Sequence, residues 1–575
     1  MNRRRFLKVS ALSAAGLLTR GLPRIEASVP TAEMILTNGR IITVDPQDSI
    51  TEAIAVRGGR ILAVGSTSEI RSFAGPDTQV IDLQGKNVTP GLIDSHAHLP
   101  PFGSRELLWV KLQGIQSKEK ILESIAARAE KMEPGGFINA WGLESHDLTF
   151  MNRRDLDEVT TKHPVLVVHT TGQWGFANSA ALKLGGVDRS TVSPPGSRVE
   201  KGETGEPTGL LVHYPALYLV RRVMPSPSER QMKRVIGHAA GLYSQEGVTS
   251  VQDNFFMVTG MSSAESSRFY FDLAASGQLP VRLKIWPYLP TLADTQDAVS
   301  ELFGNGKPNP ESPFYELGEM KRADPASFER VWGGLKIAID GSGPTAGWSR
   351  NPHSLMLHPP AELRQMVDII HRAGQQVSVH ATGDQAVGTM LDVFEAAQNA
   401  HPRPDPRHRI EHAILPANPA FRCIRKAGII VSTHPQFIFA WGDQWMGMRR
   451  SEFIPVRSFM ENQVQLAFGA DPPAFPLWQP QFALWQAVAR VTRRGDRFST
   501  GESISIQQAL RIQTMGSAFA AFQERDLGSL EKGKMADMVV WDRDFLTVPT
   551  EQIRDAKALI TIVAGKIVFE RNKTS

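Results

Sequence analysis

Eight apolar, β-rich segments alternate with helical stretches along this chain, beginning at about Gly91, Gly247, Val281, Trp332, Gln375, Arg409, Ile429 and Gln465. Strands joined through helices run parallel rather than as hairpins. Eight such units predict an α/β protein built on a (β/α)8 TIM-type barrel. In that architecture the C-terminal ends of the strands converge on one face, where catalysis sits.

Several of these segments end in ligand-type residues. The first closes on Asp94-Ser95-His96-Ala97-His98. Alternation along a strand puts residues i and i+2 on one face, so His96 and His98 can grip one ion. Lys336 lies inside Gly334-Leu335-Lys336-Ile337-Ala338-Ile339, where an amine is costly unless neutralised or used. A neutral lysine amine can take up carbon dioxide, giving a carbamate that bridges two cations. The alternative is a lysine that reaches solvent or pairs with Asp340. Val377-Ser378-Val379 leads to His380, Arg409-Ile410-Glu411 to His412, and Phe468-Gly469-Ala470 to Asp471. Each of these alone could be a hydrogen-bonded core residue; their order at successive segment ends makes a metal site the stronger reading.

The flanks predict further units. Strand-like runs around Met34–Val44 and Ala53–Val64, with turn signals at Asn38-Gly39 and Gly58-Gly59, match strand-like runs at 534–541 and 558–568. Short strands do not hold alone, so both chain ends are expected to form one small composite β-sandwich, from 30–88 and 525–572. The barrel then occupies 89–524, with an insertion over about 100–245, too long for a simple connection.

Residues 1–27 read as an address. Arg3-Arg4-Arg5-Phe6-Leu7-Lys8 precedes a short apolar run, as in a twin-arginine signal, and predicts export to the periplasm or beyond through that machinery. A basic amphipathic start that stays attached is the alternative. The run is too short to span a bilayer, so no stable membrane span is expected. The net charge of +4 arises here: six positive and one negative side chain in 1–27 leave 57 positive and 58 negative beyond. Nucleic acid is therefore not an expected partner. The single cysteine, Cys423, excludes a disulfide framework and any multi-cysteine metal site. A homo-oligomer is compatible with the sequence.

Taken together, Asn38-Gly39-Arg40, Pro90-Gly91, His96-Ala97-His98, Gly205-Glu206-Pro207-Thr208-Gly209 and Lys336 with Asp340-Gly341-Ser342 resemble the amidohydrolase superfamily. His380 with Gly383-Asp384, Glu411-His412, Asp471 and Gly528-Ser529-Leu530-Glu531-Lys532-Gly533 extend the match over nearly all of the chain beyond the signal. Within the superfamily the resemblance is to the amidohydrolase-3 branch, which includes N-substituted formamide deformylase-like enzymes. It implies one or two divalent ions, usually Zn2+, two being favoured if Lys336 is carbamylated. His96 and His98 would hold the first ion with Asp471, and His380 and His412 the second, Lys336 bridging. It further implies a metal-bound hydroxide attacking a carbonyl, with Asp471 as general base and then acid toward the departing amine.

The chain departs from the branch pattern at Gln173 and Trp174, where Asp-Gly-His would be expected before the Ala-Asn-Ser stretch. His213 replaces a glutamate, Gln252 a histidine and His434 a glutamine. Gln173, Trp174, His213 and His434 are thus candidate substrate-binding residues, although the two histidines could be ordinary core or surface ones. Trp141, Trp174, Trp348 and Trp445 suggest an apolar or aromatic substrate group. The expected reaction is hydrolysis of a non-peptide amide-type C–N bond in a small molecule: an N-acyl or N-formyl amine, or a cyclic amide. A lactone or ester hydrolase, a ring deaminase and a non-catalytic binding protein are the alternatives. Gly383, three residues after His380, stands where deaminases of this kind carry a proton-shuttling glutamate and counts against deamination.

Overall fold

The computed structural model describes residues 30–571 apart from 255–260, 262, 343–344, 350–353, 417–419, 444–452 and 475–476. The segment 1–27, with the proposed signal, lies outside the described residues, as does Trp445.

The expected apolar segments form parallel strands: β1 (Leu92–Ala97), β2 (Val248–Asp253), β3 (Arg282–Ile285), β4 (Leu335–Ala338), β5 (Val377–Ala381), β6 (Arg409–His412), β7 (Ile430–Thr433) and β8 (Gln465–Phe468). Their ladders fall into two blocks, β1-β2-β3 and β4 through β8 in sequence order. Isolated parallel bridges, Ile285 to Trp332 and Tyr288 to Lys336, link β3 to β4. Between β8 and β1 no ladder joins the described residues. A side-chain amide stands in for it: Gln513 Nε2 donates to Ile93 O at 2.8 Å and to Phe468 O at 3.3 Å. Beyond the strand ends, Asp471 N donates to His96 O at 2.8 Å. The architecture is α/β, with the expected continuous ring of strand ladders interrupted at these two seams.

Helices cover the strands because their apolar residues recur at helical spacing. In Pro360–Arg372, Leu363, Met366, Val367 and Ile370 are buried, the i, i+3, i+4, i+7 stripe of a helix on a core. Glu229–Gln245 starts at a Ser228/Gln231 capping box and buries Met232, Val235, Ile236 and Ala239 in the same main core.

The insertion carries its own six-stranded sheet, from Val110 to Val212. In its strand Val165–His169, Val165 and Val167 enter one apolar cluster while Leu166 and Val168 enter another, so the sheet is buried on both faces. Leu99–Leu107 and Glu229–Gln245, at its two edges, pack instead against each other in the main core.

Both chain ends share one sheet, in which Met538–Trp541 pairs antiparallel with Asn87–Pro90. A second sheet comes from 34–37, 53–57, 60–65 and 79–82. Leu36, Ile54 and Val56 of the latter meet Val88, Met538 and Ile562 of the former in one apolar cluster. The turn at Gly58-Gly59 closes a hairpin between 53–57 and 60–65. Asn38-Gly39 does not: Met34–Thr37 and Arg40–Ile42 lie in different sheets. Asn38 has a φ of 56°, and Gly39 and Arg40 donate to Glu52 O and Lys86 O, so the turn hands the chain from one sheet to the other.

Candidate active site

The strand ends gather the predicted ligands. Ring centroids lie 5.1 Å apart for His96 and His98, 4.9 Å for His96 and His412, and 4.4 Å for His380 and His412. Asp471, beyond the end of β8, sets Oδ1 3.1 Å from His98 Nε2 and 3.6 Å from His96 Nε2. Among the described residues, two groups bring ligand-type atoms within 4.8 Å of one another: His96, His98 and Asp471, and His96, His412 and His434. His412, Ala413 and Asp471 adopt φ of 79°, 43° and 55°. Non-glycine residues there cost on the order of 1–3 kcal/mol each, strain that packing sustains and that clusters at functional sites.

Beneath the ligands lies a buried polar layer. Glu411 accepts from Arg409 Nε at 2.8 Å and from Ser378 Oγ at 2.7 Å, and its Oε2 meets His96 Nδ1 at 2.7 Å. Burial raises the Glu411 carboxyl, but Arg409 and Lys336 outweigh it and hold the group down to about 2. An ionised Glu411 has only lone pairs to offer, so His96 Nδ1 carries the proton and Nε2 keeps its lone pair for an ion. Asp94 likewise fixes the backbone, accepting from His96 N at 3.0 Å, Ala470 N at 2.9 Å and Tyr243 Oη at 2.7 Å.

Lys336 Nζ is buried with no hydrogen-bond partner among the described residues. The alternative of a pair with Asp340 does not occur: that carboxylate accepts from the backbone N–H of Gly347, Thr382 and Gly383. Burial pushes the Lys336 amine down to about 8, against the pull of Glu411. Lys336 Nζ, His412 Nδ1 and His434 Nε2 are buried without a hydrogen-bond partner among the described residues, and the His412 and His434 rings lie 4.8 Å apart. An all-nitrogen and carboxylate donor set of this kind suits a zinc-class divalent ion.

A pocket opens over this cluster, lined by His98, Thr171, Gln173, Tyr214, Ser342, His380, Thr382, His412, Ile414, Phe437, Trp441 and Asp471. Gln173 donates to Ser342 Oγ at 2.9 Å, and its Nε2 lies 3.1 Å from His380 Nε2. That histidine nitrogen also lies 3.1 Å from Gly341 O and from Thr382 Oγ1. Burial first, then Lys336, lowers His380 to about 3, which keeps the ring neutral.

The other candidates divide. Trp174 does not line the pocket: it is fully buried in the insertion's core, stacked on His169 at 4.4 Å. His213 is buried close against Gly341, and burial lowers it to about 4. His434 stands among the ligand histidines rather than on the substrate wall. Gln252 is structural, bonded to Arg409 and to Ser517 O. Trp141 stacks on Trp109 and Trp348 is buried in the main core, so the aromatic wall is Phe437, Trp441 and Tyr214. Glu411 and Arg409 were not among the expected site residues, although alternation along Arg409-Ile410-Glu411 signals two opposite charges on one face.

Residues 79–569 match the amidohydrolase family. The chain is 28% identical over 566 residues to an N-substituted formamide deformylase of Arthrobacter pascens, covering 94% of this chain and 98% of the other. It is also 28% identical to the protein LONG AFTER FAR-RED 3 of Arabidopsis thaliana, over 94% of this chain and 92% of that one. Among solved structures, an uncharacterized metal-dependent hydrolase from Pyrococcus furiosus superposes with a TM-score of 0.64 at 26% identity, covering 89% of this chain and 100% of that one.

Proposed function

Because this chain belongs to the amidohydrolase family, we propose that it hydrolyses a non-peptide amide-type C–N bond of a small molecule, an N-acyl or N-formyl amine or a cyclic amide. The observation that carries this reading is Asp471 Oδ1 poised 3.1 Å from His98 Nε2 and 3.6 Å from His96 Nε2, in a cluster with the partnerless Lys336 amine.

His96, His98 and Asp471 would hold a first divalent ion, and Lys336, as a carbamate, with His380 and His412 a second. Such an ion, zinc in our reading, supplies Lewis acidity when bound, drawing the pKa of water toward about 7 and polarising a carbonyl. Asp471 accepts the proton of the attacking water and passes it to the departing nitrogen. Gln173 and Ser342 orient the acyl group, and Phe437 and Trp441 pack on its apolar part. The formamide deformylase similarity, spanning nearly the whole chain, favours a small acyl group. Deamination is disfavoured at Gly383: a Cβ there would sit 2.1 Å from Gly347 O, so no shuttling side chain fits.

We read the two strand blocks as the eight staves of a (β/α)8 barrel and the chain-end sheets as its composite sandwich. Residues 1–27 are proposed to export the protein through the twin-arginine route. The reading is tested by assaying metal-loaded protein on N-formyl amines, N-acyl amino acids, cyclic amides and lactones. Turnover of an amide class, lost in Asp471→Asn, is expected; turnover of lactones alone, or equal rates in the variant, would overturn it.

A further inference from the structure

The proposed ligand set leaves His434 without a task, yet its surroundings are those of a ligand. It directly follows β7 and is fully buried. Its Nδ1 lies 2.9 Å from Gly469 O. A carbonyl oxygen only accepts, so Nδ1 is the donor and Nε2 retains the lone pair. That Nε2 is buried and has no hydrogen-bond partner among the described residues. The ring lies 4.8 Å from His412 and 5.1 Å from His96, and the three histidines bring ligand-type nitrogens within 4.8 Å of one another. His380 belongs to neither such group, its Nε2 being surrounded by Gly341 O, Thr382 Oγ1 and Gln173.

The placement is built into the backbone. Gly469 presents the carbonyl that orients His434, and a Cβ on it would fall 2.5 Å from His96 Cβ and 3.0 Å from His434 Cε1. Only a glycine lets the two rings flank β8 this closely. Glu411 already occupies His96 Nδ1, so His96 has one lone pair and serves one ion. If the first ion takes His96, His98 and Asp471, His412 Nδ1 and His434 Nε2 remain, with Lys336 Nζ, among the buried nitrogens that have no hydrogen-bond partner among the described residues.

We infer that His434 is a metal ligand, completing with His412 the second ion position, rather than a residue that contacts substrate. This rests on the metal-dependent reading above. The test is to load wild type, His434→Ala and His434→Gln with Zn2+ and with Co2+. Bound ions per chain, chelator-competition affinity and the visible Co2+ absorption are then recorded, and circular dichroism establishes that each variant is folded. His434→Ala is expected to lose one ion per chain or to bind it at least about tenfold more weakly, with a changed Co2+ spectrum. His434→Gln, which keeps a polar side chain and a weaker oxygen donor, is expected to fall between. Unchanged ion count, affinity and spectrum in both folded variants, with only KM raised, would overturn the assignment and return His434 to the substrate side. A wild type that takes up no divalent ion overturns both this inference and the function proposed above.

Discussion

His96 Nδ1 and Glu411 Oε2 lie 2.7 Å apart in the floor of the site, and the glutamate is itself held ionised by Arg409. This contact sets which nitrogen of His96 is free to face an ion, and it would orient the ring as a ligand. Glu411→Gln should therefore weaken divalent-ion binding about 10- to 100-fold, read by chelator competition. An unchanged affinity would mean that the His96 tautomer is fixed by something else.

The same carboxylate gives a pH signature. Glu411 titrates at about 2 in the fold against 4.5 as the ordinary value. A folded-state pKa below the unfolded one stabilises the protein above about pH 4.5, and that contribution disappears as the pH falls toward 2. The unfolding midpoint of metal-free wild type should drop more steeply below pH 4.5 than that of Glu411→Gln. The variant should start lower at neutral pH, because Arg409 is left buried without its partner. Parallel curves would contradict this assignment.

Lys336 carries the bridging proposal. Its amine is lowered to about 8 by burial, so a reactive neutral fraction exists near neutral pH. Amine and carbon dioxide combine to a carbamate with release of one proton. Metal-loaded protein supplied with 13C-bicarbonate should show a carbamate carbon resonance, absent in Lys336→Ala, and that variant should bind one ion fewer. A wild type with two ions and no carbamate signal would contradict the bridging role of Lys336.

Trp441 lines both the active pocket and an adjoining cavity that reaches Phe150 and the Glu144–Arg493 ion pair. Trp441→Ala removes apolar contact common to substrate and transition state. KM should rise roughly tenfold with kcat held within a factor of a few, the pattern of lost uniform binding. A fall in kcat alone would place Trp441 in positioning the reacting groups.

The strands were legible because they are apolar runs, and several of them, such as Val377-Ser378-Val379 before His380, close on a histidine or carboxylate that the fold brings to one place. Three features were not. Asn38-Gly39 looks like a hairpin turn locally, but the pairing of Met34–Thr37 with Ala53–Arg57 and Gln79–Asp82 decides where the strand goes, and a local motif cannot express that. Trp174 follows Gln173 directly, and alternation sends one to the pocket and the other to the insertion's core. His434 could not be separated from a substrate contact in sequence, because its role is set by the Gly469 carbonyl, 35 residues away.

The central claim is that the His96, His98 and Asp471 group is a metal-dependent hydrolytic centre. It is tested most directly by stripping the protein with chelator and titrating back Zn2+ while following turnover of the best amide substrate. Activity is expected to disappear on stripping and to return in proportion to bound ion, and Asp471→Asn to fall about 10²- to 10⁴-fold in kcat/KM when fully loaded. Full activity in the stripped protein, or in loaded Asp471→Asn, would contradict it.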